Sequence, residues 1–240
     1  MIFTFTDYGH SGLYLGQVEA VIDEIAPCAK VVHLLNDAPR QNPVASSYLL
    51  SAYSSGLGKN SILFCVVDPG VGSDRDRPVA LKLDDQWFVG PNNGLFDIVG
   101  RRASTIEAWE LKCEGRKLSN TFHGRDLYAP ACAHLALGDM PDAQPVDWQE
   151  RQRLPDDLLE IIYIDHFGNC LSGLRAGELD SNAVLQIGNT RISAARTFSD
   201  VSPGEMFWYA NANGLVEIAA NCADAAAKLD LVIGADFSVL

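Results

Sequence analysis

Positive charge is scarce in this sequence: 18 lysines and arginines stand against 31 aspartates and glutamates over 240 residues, a formal net charge of −13. No run of basic residues occurs anywhere in the chain. Proteins that bind nucleic acids neutralise phosphates with clustered lysine and arginine, so this composition argues against a nucleic-acid partner.

Long hydrophobic runs are also missing, and none approaches the roughly 20 residues that a membrane-spanning helix needs. The first residues, Met1 to Asp7, have no basic flank and no cleavage-type segment, so we expect a first strand there rather than a signal peptide. We therefore expect a cytoplasmic protein with no membrane partner.

Motifs for metals and nucleotides are absent. The six cysteines include no Cys-x-x-Cys pair and the five histidines are scattered, which predicts reduced thiols and no metal site. Gly70-Val71-Gly72-Ser73 lacks the third glycine of a dinucleotide fingerprint and the Gly-Lys-Ser/Thr of a P-loop. There is no Gly-x-Ser-x-Gly elbow, which argues against a serine hydrolase.

Strand and helix patterns alternate in the first third of the chain. Residues 2–6, 30–35 and 61–67 are short apolar runs typical of strands. Helical spacing of apolar residues starts at Leu15 in the first interval, and Asn42-Pro43 is a helix start in the second. This order predicts a mostly parallel sheet covered by helices.

A composition change marks the expected domain boundary. Residues 139–157 are rich in Pro, Asp, Gln and Arg, and apolar runs then alternate with tight turns such as Gly188-Asn189. We expect an α/β domain over 1–150 and a smaller all-β antiparallel domain, barrel-like or a sandwich, over 151–240.

Two of the predicted parallel strands run directly into carboxylates. Asp7 follows the first strand and Asp68 follows the third. Ligands of open α/β sheets bind beyond the carboxyl ends of the strands, so neighbouring strands would bring both acids into one crevice. A second explanation applies to Asp68-Pro69-Gly70, which is also a good turn sequence in its own right.

Two further polar loops have structural as well as functional explanations. His123 suits a capping or surface role, Arg125 a carboxylate partner, and Asp126 a helix N-cap. Asp165 and Asn169 suit a turn in which side chains bond to their own backbone.

Six motifs in order carry a family resemblance over nearly the whole chain. They are Thr6-Asp7-Tyr8-Gly9 with Tyr14-Leu15-Gly16, Val66 to Gly72 with Arg75, Phe88 to Leu95, Thr121 to Asp126, Ile164 to Asn169 and Gly214 to Ala219. In this order and spacing the chain resembles the S-adenosylmethionine hydroxide adenosyltransferases, or S-adenosylmethionine hydrolases, which are relatives of the bacterial fluorinases and chlorinases.

The resemblance implies an N-terminal α/β domain, a C-terminal antiparallel β domain and a homotrimer whose active sites lie between the N-domain of one subunit and the C-domain of the next. It implies attack of water, as hydroxide, on the ribose C5′ of S-adenosylmethionine, giving adenosine and methionine without a cofactor. A sulfonium is already a good leaving group, so the enzyme has mainly to orient and deprotonate a water.

Site residues follow from the same resemblance, position by position. The expected catalytic triad is Asp68, Arg75 and His123, and Asp7 matches the acid that binds the ribose hydroxyls. In the C-terminal domain the expected substrate-binding residues are Asp165 near the methionine amino group, Phe167 and Asn169 at the adenine, and Asn211 and Asn213.

The chain also departs from the family at positions that serve selectivity. Fluorinases have Tyr where Asp68 stands and a halide-binding Ser where Gly124 stands, so both positions here favour water. The family's usual Asp and Ser at the amino-acid end are replaced by Gly12 and Ala212. These losses keep two alternatives open: a non-catalytic adenosine or S-adenosylmethionine binding protein, and a hydrolase of another 5′-substituted adenosine.

Overall fold

The computed structural model describes residues 1–73, 77–112 and 118–240, and these form two compact units. One unit comprises Met1–Leu50 and Leu57–Leu154, and the other comprises Ser51–Gly56 and Pro155–Leu240. Over the described ranges, no helix combines the length and the apolar character that crossing a bilayer requires.

The first unit is built on a seven-stranded sheet. Its strands are β1 (Ile2–Thr6), β2 (Val31–Leu35), β3 (Ile62–Val66), β4 (Pro78–Leu83), β5 (Gln86–Pro91), β6 (Ile106–Leu111) and β7 (Ala143–Pro145). Their order in the sheet is β2-β1-β3-β5-β4-β6-β7. The first four of that order pair in parallel, and the remaining pairings are antiparallel.

Within the described ranges, four α-helices begin in this unit: α1 (Leu15–Ile25), α2 (Pro43–Ser54), α3 (Asp97–Arg102) and α4 (Ala129–Leu137). Val18 and Ile22 of α1 are buried with strand residues and with the small side chains of α4 in one apolar cluster. Asn42 caps α2 as its sequence predicts, because its Oδ1 accepts the N–H of Ala45 at 3.0 Å.

The pairing that matters for function is between β1 and β3. They run in parallel from Ile2 beside Ile62 to Thr6 beside Val66. Every residue of β3 is buried, as expected of a central strand covered on both faces. The structure therefore meets the condition under which the sequence places both acids in one crevice: β1 and β3 are neighbours and end at the same edge of the sheet.

The segment after α4 belongs to the first unit. Residues 139–157 show no apolar period, but β7 pairs with β6 and forms the edge of the sheet. The buried Asp97 at the start of α3 accepts the backbone N–H groups of Arg151 (3.0 Å) and Gln152 (2.7 Å). The division between the units falls between Leu154 and Pro155. Backbone pairing and one carboxylate thus hold a segment that has no hydrophobic pattern.

The second unit contains two antiparallel sheets. Four strands pair in the order β12 (Met206–Ala210), β13 (Leu215–Ala220), β9 (Cys170–Arg175) and β8 (Leu158–Ile164). Three more pair in the order β11 (Thr190–Ile192), β10 (Leu185–Ile187) and β14 (Ser238–Val239), and the helix α5 spans Ala225–Leu229.

Isolated bridges join the two sheets at both edges. Ala194, after β11, bridges to Trp208 of β12, and Glu160 of β8 bridges to Asp236, just before β14. The strands thereby follow one another around a closed ring, which leaves few unpaired edges. The expected fold class, an α/β domain and a smaller barrel-like antiparallel domain, is confirmed.

Loss of the Asp97 carboxylate should loosen the end of the first unit. We expect Asp97→Ala to lower the free energy of unfolding by about 1–2 kcal/mol, because two backbone N–H groups lose their acceptor. Urea denaturation measures this. The matched control is Asp139→Ala at an exposed site, and equal stability of the two variants would contradict the role given to Asp97.

Candidate active site

A small cleft of about 120 Å³ lies at the carboxyl ends of β1 and β3. Asp7 follows β1 directly, Asp68 follows β3 with Val67 in between, and both line this cleft together with His123. The three side chains come from loops far apart in sequence. The tertiary structure thus brings two carboxylates and an imidazole to one place, a combination that can take and hold a proton.

The loop that contains Asp68 combines turn chemistry with a place in the cleft. Asp68 Oδ1 accepts the N–H of Gly70 at 3.1 Å, as an Asp-Pro-Gly turn predicts. The buried Asn93 donates its Nδ2–H to the carbonyl of Val67 at 2.8 Å, which ties the end of β3 to the loop after β5. The two explanations offered by the sequence are therefore compatible.

Asp7 lies in a mixed environment. Its Oδ2 accepts the N–H of Gln41 at 2.9 Å. Burial raises the pKa of the Asp7 carboxyl, and the Gln41 N–H and the charge of Arg40 act in the opposite direction. This hydrogen bond holds the Asp7 carboxyl beside the loop before α2, where the residue forms part of one wall of the cleft.

His123 comes immediately before a single π-helical turn, Gly124–Tyr128, that leads into α4. Asp126 lies inside this turn, where Arg125 donates to it at 2.6 Å and the N–H of Ser119 donates at 2.7 Å. The Arg125 guanidinium lowers the pKa of Asp126. The expected N-cap role of Asp126 is therefore wrong, because its carboxylate lies one turn too late and holds the preceding loop. The carboxylate-partner role of Arg125 is correct.

Aromatic rings form the remaining wall of the cleft. The ring of Tyr8 packs against Tyr14, Phe64 and Phe122, with centroids 5.3, 6.4 and 6.0 Å away. Burial, then the charges of Asp7 and Asp68, raise the pKa of Tyr8, so its hydroxyl keeps its proton. Sequence reasoning did not assign a role to Tyr8, although its place beside Asp7 was a signal.

Arg75, the third member of the expected triad, lies outside the described residues. The catalytic role of Arg75 therefore stays a prediction.

Three expected residues of the second unit share the loop between β8 and β9. Asp165 Oδ1 accepts the N–H groups of Phe167 and Asn169, both at 2.8 Å, and Oδ2 accepts the Asn169 amide at 2.9 Å. This network is the turn chemistry that the sequence allowed. Asn169 is buried, whereas Phe167 is 73% exposed and its ring meets that of His166 edge-on at 5.8 Å.

Asn211 and Asn213 lie in the turn between β12 and β13. Asn211 Oδ1 accepts the N–H groups of Asn213 and Leu215, each at 3.0 Å. Its Nδ2 donates at 3.0 Å to Glu217, a buried carboxylate that also accepts the hydroxyl of Tyr209. Sequence reasoning gave Glu217 no role, although a lone acid within an apolar strand was a signal.

Strand register separates these two groups of residues. Cys170 at the start of β9 pairs with Ile218, whereas Arg175 at its end pairs with Leu215. The β8–β9 loop and the β12–β13 turn therefore join opposite ends of β9, but the register shift between Leu215 and Glu217 leaves only about 10 Å between these ends along β13. Glu217, which accepts from Asn211, pairs with Leu171 near the β8–β9 loop. The structure brings Asp165, Phe167 and Asn169 together, and Asn213 stays with the other end.

Metal-binding side chains do not cluster in the described ranges: no group of three or more His, Cys, Asp or Glu residues there could hold an ion.

Family models match both units of the chain. The model for the SAM hydroxide adenosyltransferase N-terminal domain matches residues 2–144, and the model for its C-terminal domain matches residues 159–238.

Curated relatives match over nearly the full length. An (R)-S-adenosyl-L-methionine hydrolase of Thermus thermophilus is 33% identical over 251 positions, covering 97% of this chain and 96% of the relative. A protein of the same name from Salinispora arenicola is 32% identical over 95% of this chain and 93% of its own.

Solved structures agree with this match. A conserved protein of Thermotoga maritima, titled uncharacterized, superposes with a TM-score of 0.90 at 27% identity over 100% of both chains. A conserved hypothetical protein from Thermus thermophilus gives a TM-score of 0.81 at 32% identity, covering 100% of this chain and 99% of its own. The chain belongs to the S-adenosylmethionine hydroxide adenosyltransferase family.

Proposed function

We propose that this protein hydrolyses S-adenosyl-L-methionine to adenosine and L-methionine. The observation that carries the proposal is the single cleft that Asp7, Asp68 and His123 line at the ends of β1 and β3. The relatives named (R)-S-adenosyl-L-methionine hydrolase support it and suggest that the R configuration at sulfur is the one accepted.

The proposed step is a displacement at the ribose C5′. A water oxygen forms a bond to C5′ while the C5′–S bond breaks, and its electron pair leaves with the methionine sulfur. The water proton goes to Asp68 or His123, which are a carboxylate and an imidazole suited to accept it. Arg75 is assigned to stabilising the developing hydroxide. The sulfonium charge is lost in the same step, so no acid and no cofactor are needed on the leaving side.

The other site residues are assigned to binding. Asp7 is proposed to accept the two ribose hydroxyls, for which its carboxyl has the required acceptors. Phe167 is proposed to stack on adenine and Asn169 to bond its edge, while Asp165 lies near the methionine amino group. Asn211 and Asn213 complete the set of proposed substrate contacts.

We propose a homotrimer in which each active site combines two subunits. The cleft of about 120 Å³ in the first unit is smaller than the roughly 300–1,000 Å³ of pockets that enclose small ligands. Phe167 is a largely exposed aromatic side chain. In this arrangement, residues 1–150 of one subunit supply the catalytic residues of a site. Residues 151–240 of the neighbouring subunit complete the adenosyl pocket of that site. The five described cysteines, which are free thiols, support a cytoplasmic location.

A second candidate function has support from the loop after β1. A Cβ added to Gly12 would lie 2.7 Å from the carbonyl oxygen of Tyr8, so this loop is shaped for glycine. The backbone there would have to shift before it could present the acid that holds a methionine end. This favours hydrolysis of an adenosyl sulfonium with a smaller tail as the alternative, and it equally allows a protein that binds its ligand without turnover.

Replacing the proposed base, Asp68, should strongly lower the rate of hydrolysis without disturbing the backbone turn from Asp68 to Gly70. We expect Asp68→Asn to lower kcat by about 10²–10⁴-fold, because the amide cannot accept the water proton yet still accepts the Gly70 N–H. Adenosine and methionine are followed by chromatography with both sulfonium epimers supplied, and Asp139→Asn is the control. No turnover by the wild type would disprove the hydrolase, and calorimetric binding of intact substrate would then identify a binding protein. Equal turnover by Asp68→Asn would disprove the role of Asp68 as the base.

Sites shared between subunits should allow complementation. Asp68→Asn and Phe167→Ala each spoil a different half of the proposed site. We expect random mixed trimers, formed by refolding the two variants together, to regain about a quarter of the sites, because one subunit can offer an intact first half to a neighbour with an intact second half. Activity at low substrate concentration measures this. No recovery, with trimers present by light scattering, would place each site within one chain.

Substrate tails should separate the two candidate hydrolases. S-adenosylmethionine and 5′-deoxy-5′-(dimethylsulfonio)adenosine share the leaving-group chemistry and differ in the amino-acid tail. Recognition of the tail by charged hydrogen bonds should favour S-adenosylmethionine by about 10–100-fold in kcat/KM. Equal kcat/KM values would instead assign the protein to smaller adenosyl sulfoniums.

A further inference from the structure

Tyr8 places its hydroxyl in the part of the cleft that a side chain at position 124 would occupy. A Cβ built on Gly124 would fall well inside contact distance of Tyr8 Oη, and it would lie 3.3 Å from the ring of Phe122. Tyr8, Gly124, Asp68 and His123 all line the same cleft. Glycine at position 124 is therefore the complement of tyrosine at position 8: the small residue makes room for the hydroxyl.

The position of this hydroxyl is set by the packing of its ring. Tyr14 and Phe64 lie against the Tyr8 ring at centroid distances of 5.3 and 6.4 Å, and Phe122 meets it edge-on at 6.0 Å. Tyr14 and Phe122 also contact each other at 5.1 Å. Rings packed on several sides have few rotamers open to them, so Oη is held in place before any ligand arrives.

The hydroxyl is protonated, and within the described part of the chain it has no hydrogen-bond partner. Burial and the charges of Asp7 and Asp68 raise the pKa of Tyr8. A hydroxyl with one donor and two acceptor sites gains free energy when a partner enters, and a water or a substrate oxygen is what this cleft can admit.

We propose that the Tyr8 hydroxyl, which fills the space that Gly124 leaves open, holds the attacking water by donating a hydrogen bond to its oxygen. The inference rests on the proposed hydrolase function. One water lone pair accepts from Tyr8, one water proton points to Asp68 or His123, and the second lone pair is free to attack C5′. Tyr8 keeps its own proton throughout and stabilises the negative charge that develops on the oxygen as the proton leaves.

In this arrangement the Tyr8 hydroxyl and Gly124 together set the size of the site for the nucleophile. A hydroxyl donor on a fixed aromatic ring can bond a water. Gly124 contributes no side chain that would displace this Tyr8 hydroxyl. Tyr8 would thus determine which nucleophile is used as well as how it is aimed. A purely structural Tyr8 would need only its ring, which phenylalanine also has.

The test is a set of variants that moves one hydroxyl between two positions. Tyr8→Phe removes the hydroxyl and keeps the ring packing, and we expect kcat to fall about 10–100-fold with KM and melting temperature nearly unchanged. Gly124→Ser in the wild type should also lower kcat, because the new side chain collides with Tyr8 Oη.

The combination of both changes should be more active than Tyr8→Phe alone by at least several-fold, since the serine hydroxyl then enters the vacated space. Tyr8→Phe with Gly124→Ala is the matched control, as it fills the space without a hydroxyl. Wild-type activity in Tyr8→Phe, or equal recovery with serine and alanine, would overturn the role of Tyr8 and leave the hydrolase standing. An inactive wild type would overturn both.

Discussion

Parallel pairing of β1 with β3 is the constraint on which the candidate site depends. The crossovers through α1 and α2 place these strands side by side, and the register from Ile2 beside Ile62 to Thr6 beside Val66 brings their ends level. An acid follows the end of each strand: Asp7 follows β1, and Asp68 follows β3. A slip of a single residue would turn the buried side chains of β3 toward the wrong face, so the apolar cluster that stabilises the sheet also fixes the separation of the two carboxylates.

The electrostatics of the cleft suit a cationic substrate. Two carboxylates and a neutral phenol surround the space, and the chain as a whole carries a net charge of −13. A sulfonium is attracted to such a site, and its charge disappears when the C5′–S bond breaks. In the proposed reaction the two carboxylates then lose that counter-charge, which favours transfer of the water proton to a carboxylate.

Loop chemistry in this protein often serves two purposes. The Asp68 turn and the Asp165 turn satisfy their own backbone N–H groups, and each still presents side chains at the edge of a sheet. Because a carboxylate has about four lone-pair sites, one or two backbone bonds do not exhaust it. Local turn chemistry and a binding role are therefore not competing explanations at these positions, whereas at Asp126 the carboxylate is committed to Arg125 and Ser119.

The amino-acid sequence by itself determined the fold class and marked Asp7 and Asp68 as acids at strand ends, because hydrophobic period and strand-end acids are local properties. The assignment of His123 came instead from the family resemblance. Only the tertiary structure decided which loops meet. Edge strand β7 has no apolar period and depends on its partner β6, and the closed ring of the second unit depends on bridges at Trp208 and Glu160. The fit of Tyr8 Oη against Gly124 joins residues 116 positions apart in the chain. Such contacts are set by packing between distant segments, which no local pattern records.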